Sequence, residues 1–137
     1  MRVADRMSTP PVTIVPDMNH HAALRLMQEH GMHHLPVVDR QGHLVGIVAE
    51  RDLLLAVAHY VQTPIEISEV MQRNVFTVAA DTLLTEAATL MVRHKIGGLP
   101  VVDAEQQIVG VITETDIFKA FVAMLEEGQD FTKARGS

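Results

Sequence analysis

Apolar and polar positions alternate along this chain with two different periods, and the same succession of periods occurs twice. A short extended run rich in β-branched residues opens each half, at 12–15 and 75–78. Helical spacing of apolar residues follows, at 23–30 and 87–94. Two short apolar strands come next, and a last helix closes each half with apolar residues at i, i+3, i+4 and i+7. The pattern predicts two β-α-β-β-α units.

The two halves are copies of one another, since the segment Leu-Pro-Val-Val-Asp at 35–39 returns at 99–103 without any gap between the aligned halves. We expect one repeat at residues 1–63 and a second at 64–127, with residues 128–137 as a disordered tail. Each repeat opens with a short helical lead, 3–7 or 67–71. Asp17 and Asp81 stand where signals for the start of the first helix are expected.

A single unit of this size would be marginally stable, because small domains bury too little of their surface. We therefore expect an α/β (α+β) fold in which the two repeats pack sheet to sheet about a pseudo-twofold axis. Clefts between related subdomains are favoured places for small ligands. The duplication thus predicts ligand sites between the repeats.

Composition narrows the classes of protein that fit. The chain has 137 residues, of which 47% are hydrophobic, and a net charge of −6 with histidine neutral. That charge argues against DNA or RNA as the main partner, because a phosphate backbone needs a basic surface. The sequence has no cysteine, its first residues lack the apolar stretch expected of a signal peptide, and no apolar run approaches the ~18 residues of a membrane span. We expect a cytoplasmic protein that binds neither nucleic acid nor membrane.

Each half carries one series of motifs: a methionine closing the lead (Met7, Met71), an x-h-P-V-V-D strand, and a G-h-h-T-x-x-D type segment that opens the last helix. This series resembles the CBS domain, and a tandem pair of such domains is called a Bateman module. The resemblance implies that AMP, ADP, ATP or S-adenosylmethionine binds as a regulatory ligand, with no other cofactor. It also implies a homodimer that regulates an effector protein.

The second repeat carries the fuller binding motif, at residues 110–116. The resemblance implies that Asp116 accepts hydrogen bonds from the ribose hydroxyls and that Thr113 contacts a phosphate. A carboxylate offers two acceptor oxygens to a vicinal diol, and the helix N-terminus beside Thr113 favours an anion. The alternative is structural, because Thr and Asp are natural N-caps and both residues can serve only to cap the last helix.

The first repeat departs from this motif. Ala49 stands where Thr113 stands in the second repeat, so the hydroxyl through which the resemblance implies a phosphate contact is missing. Asp52 is retained for a ribose, and the guanidinium of Arg51 suits phosphate oxygens, although Arg51 can equally be a solvated residue at a helix start. We predict a strong cleft in the second repeat and a weak or differently selective one in the first.

The pair of residues before each Leu-Pro strand also differs, being His33-His34 in the first repeat and Gly97-Gly98 in the second. In the family this pair faces the nucleotide, which implies imidazole contacts to phosphate in one cleft. In the other cleft the glycines offer backbone N–H groups and room. The adenine contacts that the resemblance implies are strand residues and their backbone: Ile14, Val78, Thr13 and Thr77.

Other chemistry is weakly supported by the sequence. Eight histidines suggest a metal site, but there is no H-E-x-x-H motif and no cysteine, so we assign no metal ligands. No nucleophile elbow, P-loop or acid–base pair is present, and we expect no catalytic residues and no enzyme. Two alternatives stay open: a dimerisation scaffold with degenerate clefts, favoured by Ala49 and by the Gly97-Gly98 pair, and a metal-binding module.

Overall fold

The structure, a computed structural model, describes residues 1–59 and 64–134, with a repeated order of elements. These elements are a 3-10 turn (Val3–Asp5), α1 (His20–His30), β1 (His34–Val38), β2 (Leu44–Ala49), α2 (Glu50–His59), a second 3-10 turn (Ile67–Glu69), α3 (Leu84–His94), β3 (Gly98–Val102), β4 (Ile108–Thr113) and α4 (Glu114–Ala134). Every element of the second half begins 64 positions after its counterpart. The α+β fold built from a duplicated unit is therefore confirmed.

An antiparallel hairpin forms the centre of each repeat. β1 pairs with β2, with His34 opposite Ala49, and β3 pairs with β4 in the equivalent register. Asp39 and Asp103 open the two hairpin turns, and the side chain of each accepts two backbone N–H groups of its own turn. Aspartate closes a turn in this way because its carboxylate reaches the backbone two residues further on.

The first extended run of each repeat pairs through one residue only, which is less than the strand we predicted. Ile14 bridges Val37 and Val78 bridges Val101, both in parallel. The Ile14 N–H donates to the Pro36 oxygen at 3.0 Å, and the Ile14 oxygen accepts from the Val38 N–H at 2.8 Å. These two bonds attach each run to its hairpin edge without building a longer ladder.

The first helix of each repeat begins later than Asp17 and Asp81 indicated. α1 starts after Asn19, whose side-chain oxygen accepts the Ala22 N–H at 2.9 Å. Such a bond satisfies one of the free donors at a helix N-terminus. α3 starts after Leu83, with no side-chain cap. The two aspartates therefore lie in the turns that precede the helices and do not cap them.

The helical leads pack on the opposite repeat, which the sequence did not predict. Val3 and Met7 join the core around β3 and β4, while Ile67 and Met71 join the core around β1 and β2. Backbone bonds fix this exchange, for example from the Val3 N–H to the Thr82 oxygen at 2.8 Å. Each core thus draws on both halves of the sequence, and a division between residues 63 and 64 does not separate the two packing units.

Contacts between the repeats come in symmetric pairs. Ser8 bridges Val111 as Gln72 bridges Ile47. His43 bridges Gln107, and these two residues occupy equivalent positions in the two repeats. Two equivalent residues can pair with each other only across a twofold axis, so the predicted packing of the sheets about a pseudo-twofold axis is confirmed.

The last helix is longer than predicted. α4 continues to Ala134, so residues 128–134 have helical backbone where we expected the start of a disordered tail. Residues 135–137 of that expected tail lie outside the described residues. Across 1–59 and 64–134, no helix is both long enough and apolar enough to cross a membrane.

Candidate functional site

A groove of about 1310 Å³ opens between the two repeats. It is lined by the start of β1 and the β2–α2 junction from one repeat, and by the α3–β3 connection and the start of α4 from the other. Half of the predicted site residues line it: His33, His34, Arg51, Asp52, Gly97 and Gly98. The structure thus joins in one groove two pairs of residues that the sequence assigned to separate clefts.

The hairpins position the helix starts beside this groove. The Glu50 N–H donates to the His33 oxygen at 2.9 Å, and the Glu114 N–H donates to the Gly97 oxygen at 3.0 Å. Each bond ties the first residue of α2 or α4 to the residue just before β1 or β3. Arg51 and Asp52 are consequently presented next to His33, whose Nδ1 lies 3.4 Å from Glu50 Oε2.

The His34 ring fills the space over Gly97 and Gly98. A Cβ atom on Gly98 would lie 2.9 Å from His34 Cγ, and one on Gly97 would lie 3.1 Å from His34 Nε2. Distances this short exclude a side chain at position 98 while the ring keeps its place. The expectation that the two glycines leave open room in the second cleft is therefore wrong, because the first repeat supplies a ring that occupies it.

The environment of His34 changes its acid–base behaviour. Burial lowers the pKa of His34 below its ordinary value, because an imidazolium loses hydration in the groove. The carboxylate of Glu114 acts in the opposite direction, His33 reinforces the lowering, and Asp52 opposes it. The net result is a ring held in its neutral form at neutral pH.

The aspartates at the two helix starts have different partners. Asp116 Oδ2 accepts the Thr113 N–H at 2.9 Å and the Thr113 hydroxyl at 3.1 Å. This is the capping arrangement in which a side chain at the third helical position returns to the N-cap residue. Ala49 has no hydroxyl to offer, and Asp52 accepts no hydrogen bond from any residue that the structure describes. The carboxylate of Asp52 is thus open to a ligand, whereas one oxygen of Asp116 is engaged.

The remaining predicted residues lie elsewhere. Thr77 and Val78 line another cleft, of about 1210 Å³, between α3 and the β3–β4 turn. Thr113, Asp116, Thr13 and Ile14 line neither cleft, and Ile14 is buried in the core of the first repeat. The predicted adenine contacts therefore do not converge on the groove that contains Asp52.

Several groove residues were missed by sequence reasoning. Glu114 and Lys95 bring charge to the lining, and Val92 and Phe118 bring apolar surface. Glu114 was detectable, since it is the counterpart of Glu50 and immediately follows the motif threonine. Lys95 carried no signal, because it lies at the end of α3 where the first repeat has a glycine.

No metal centre emerges from the part of the chain that the structure describes. Within residues 1–59 and 64–134, no three histidine or carboxylate side chains are placed to hold one ion together. The metal alternative therefore has no candidate ligand set among these residues.

Comparison with known proteins identifies the same two repeats. The family model of the CBS domain matches residues 3–59 and again residues 67–123. L-aspartate semialdehyde sulfurtransferase of Methanocaldococcus jannaschii is 37% identical over 119 residues, which are 87% of this chain and 23% of that protein. A CBS domain-containing protein of Dictyostelium discoideum is 33% identical over 139 residues, 90% of this chain and 93% of that one. The chain thus spans less than a quarter of the sulfurtransferase.

Two solved structures show what similar chains bind. The CBS domain pair of protein MJ0100, in complex with 5′-methylthioadenosine and S-adenosyl-L-methionine, aligns with TM-score 0.84 and 35% identity over 90% of this chain and 98% of that one. CBSX2 in complex with AMP aligns with TM-score 0.75 and 27% identity over 90% of this chain and 97% of that one.

Proposed function

Because this chain belongs to the CBS domain family, as a tandem pair, we propose that it is a regulatory module that senses an adenosine-containing ligand. The observation that carries the proposal is the groove in which Asp52, Arg51, His33 and His34 meet. Structures of similar pairs with S-adenosylmethionine and with AMP support the ligand class.

The chemistry of the groove suits the two ends of such a ligand. Neither carboxylate oxygen of Asp52 accepts a hydrogen bond from the residues that the structure describes, so the two oxygens can accept the two ribose hydroxyls. Arg51 is exposed beside it and meets the 5′ substituent with a fork of N–H donors. Val92 and Phe118 supply apolar surface for the base. This reverses the ranking we expected from sequence, since the first-repeat motif becomes the principal site and Asp116 with Thr113 the weaker one.

Ligand binding is the direct test of this proposal. We expect AMP, ADP, ATP, 5′-methylthioadenosine or S-adenosylmethionine to raise the melting temperature, since a ligand at 100 times its Kd stabilises the native state by about 2.7 kcal/mol. Titration calorimetry on the full chain gives the Kd. An unchanged melting temperature with all five compounds, each at millimolar concentration, would contradict the sensor and favour the dimerisation scaffold.

We also propose that the functional unit is a homodimer joined through α2 and α4. Both helices leave large apolar side chains half exposed or more: Leu54, Leu55, Phe121, Met124 and Leu125. Monomers rarely expose an apolar patch beyond a few hundred Å². The two helices are counterparts across the pseudo-twofold axis, so the face they form is self-complementary in the way a symmetric dimer requires. A second copy of the chain is therefore its occupant.

Phe121→Glu is expected to convert the dimer to a monomer. Phe121 is 56% exposed on α4, and a carboxylate there would have to be desolvated in the interface. Sedimentation velocity over a range of concentrations measures the change. Val15→Glu, an exposed apolar position outside the two helices, is the control that leaves the dimer intact. A wild-type chain that is monomeric at every concentration contradicts the proposal.

The output of the sensor is regulation of an effector. In the sulfurtransferase relative, the matching segment is 23% of a longer protein, which is the arrangement expected of a module that controls a neighbouring domain. We propose that this pair likewise controls the activity of a partner, through a ligand-induced change in the dimer or in the groove.

A further inference from the structure

We propose that His34 selects phosphorylated adenosine ligands over uncharged ones by taking up a proton when they bind. The inference rests on the proposed function and specifies it, since it names the charge of the preferred ligand and the residue that recognises that charge.

The position of His34 is the first observation. Its ring is inserted between the repeats, against Gly97 and Gly98, with His34 Nε2 and Glu114 Oε1 both near the point where a Gly97 Cβ would be, at 3.1 and 3.2 Å. The equivalent position in the second repeat is Gly98, so only one such ring exists in the pair. His34 therefore contacts both repeats and lines the groove at once.

The charge of the groove is the second observation. Its lining contains three carboxylates and two permanent cations: Glu50, Asp52 and Glu114 against Arg51 and Lys95. Apart from the histidines the lining is thus net acidic, which opposes a phosphate and does not oppose an uncharged ligand. One added proton balances the lining, and Coulomb attraction in a partly desolvated site then favours the phosphate.

His34 is better placed than His33 to take up that proton. The His33 side chain is 68% exposed and has Glu50 beside it, so solvent screens it from a ligand. His34 is half-buried, and burial keeps its pKa low until a compensating charge arrives. The groups that face it are Glu114 on α4, Asp52 on α2 and His33 on its own segment, and a bound phosphate adds to the two carboxylates.

The sign of the pH dependence follows. Since the pKa of His34 is lowered in the free protein and raised by a bound phosphate, affinity for a phosphorylated ligand rises as pH falls from the bound pKa towards the free pKa. Below the free pKa the ring is protonated in both states and the affinity is level. For 5′-methylthioadenosine, which carries no phosphate, no such rise occurs.

The test compares AMP with 5′-methylthioadenosine on the full chain by titration calorimetry, between about pH 5.5 and pH 7.5, in buffers of different ionisation enthalpy. We expect AMP to bind with net proton uptake and 5′-methylthioadenosine with none. His34→Gln removes the uptake assigned to the ring and lowers the ratio of AMP to 5′-methylthioadenosine affinity by about tenfold at the acidic end. AMP titrates too, and its contribution is the uptake that remains in His34→Gln.

His30→Gln is the matched control, because it removes an exposed histidine at the end of α1 that lines neither cleft, and it should leave the uptake unchanged. Gly98→Ala is a second variant that keeps the histidine but displaces its ring, and it should reduce the uptake as His34→Gln does. The NMR titration of the His34 ring in wild type, with and without AMP, needs no variant and should show a higher pKa in the complex.

Equal proton uptake in wild type and His34→Gln, or an unshifted His34 titration on AMP binding, overturns the inference while the sensor function stands. Failure of both ligands to bind wild type at any pH is a different result, which overturns the proposed function and this inference with it.

Discussion

Gly110→Val is expected to lower the free energy of unfolding by about 3 kcal/mol, the upper part of the range for overpacking a well-packed site. A Cβ atom at position 110 would lie 2.9 Å from the sulfur of Met7 and 3.0 Å from the Ser8 oxygen. The Ser8 backbone cannot retreat, because its N–H and oxygen are both bonded to Val111, at 2.9 and 3.2 Å. The valine side chain would therefore push the lead of the first repeat away from β4.

The melting temperature measures this effect, and we expect a fall of about 10 °C for a chain of this size. Gly46→Val should behave alike, since its Cβ would lie 2.8 Å from the Met71 sulfur and 2.9 Å from the Gln72 oxygen. Gly128→Ala is the control, because a Cβ there would meet no atom of the described residues within 4 Å outside its own stretch of helix, and alanine is the better helix former by about 1 kcal/mol. If Gly110→Val had the same melting temperature as the wild type, the leads would not cross to the opposite repeat in solution.

Asp52→Ala is expected to weaken AMP binding by about 100-fold. Two hydrogen bonds from a ribose diol to a carboxylate contribute about 3 kcal/mol together, which corresponds to that factor in Kd. Asp52 accepts no competing bond from the described residues, so the whole contribution is lost with the side chain. Titration calorimetry gives the Kd, and thermal melting of the unliganded variant shows that the fold is retained.

Asp116→Ala is the matched substitution in the other repeat, and its expected effect is of a different kind. Asp116 caps α4 through Thr113, and removing an N-terminal cap costs about 1 kcal/mol of stability. Its AMP affinity should stay within about threefold of wild type. If Asp116→Ala loses binding and Asp52→Ala does not, the ranking of the clefts that the sequence motifs predict is correct and the one inferred from the groove is wrong.

The contrast between these aspartates shows where sequence reasoning reaches its limit. The motif identified Asp52 and Asp116 as equivalent, and the fold places them at equivalent helix starts. Whether a carboxylate is free depends on the residue three positions earlier, which is Thr113 in one case and Ala49 in the other. The sequence shows this difference, but both a ligand contact and a helix cap are compatible with threonine, and only the hydrogen-bond distances distinguish them.

The glycine pair before β3 shows a second limit. Gly97-Gly98 predicted open space, because a residue without a side chain leaves room in its own vicinity. The space is occupied by His34, whose ring comes from a residue 64 positions earlier in the chain. No local pattern connects two positions so distant, since their contact depends on how the repeats are packed.

By itself, the sequence determined the duplicated unit, the order of elements and the hairpins, because the period of apolar residues and the turn aspartates act over a few neighbouring positions. The fixed offset between the halves also led us to predict a pseudo-twofold axis, which the bridge between His43 and Gln107 confirms. The tertiary structure alone decided that the leads cross to the opposite repeat and that the His34 ring fills the space over Gly97 and Gly98. It also decided that Asp52 faces the groove, while Asp116 is hydrogen-bonded to Thr113. These features arise from contacts between residues far apart in the chain, where space and hydrogen-bond partners are set by packing rather than by local preference.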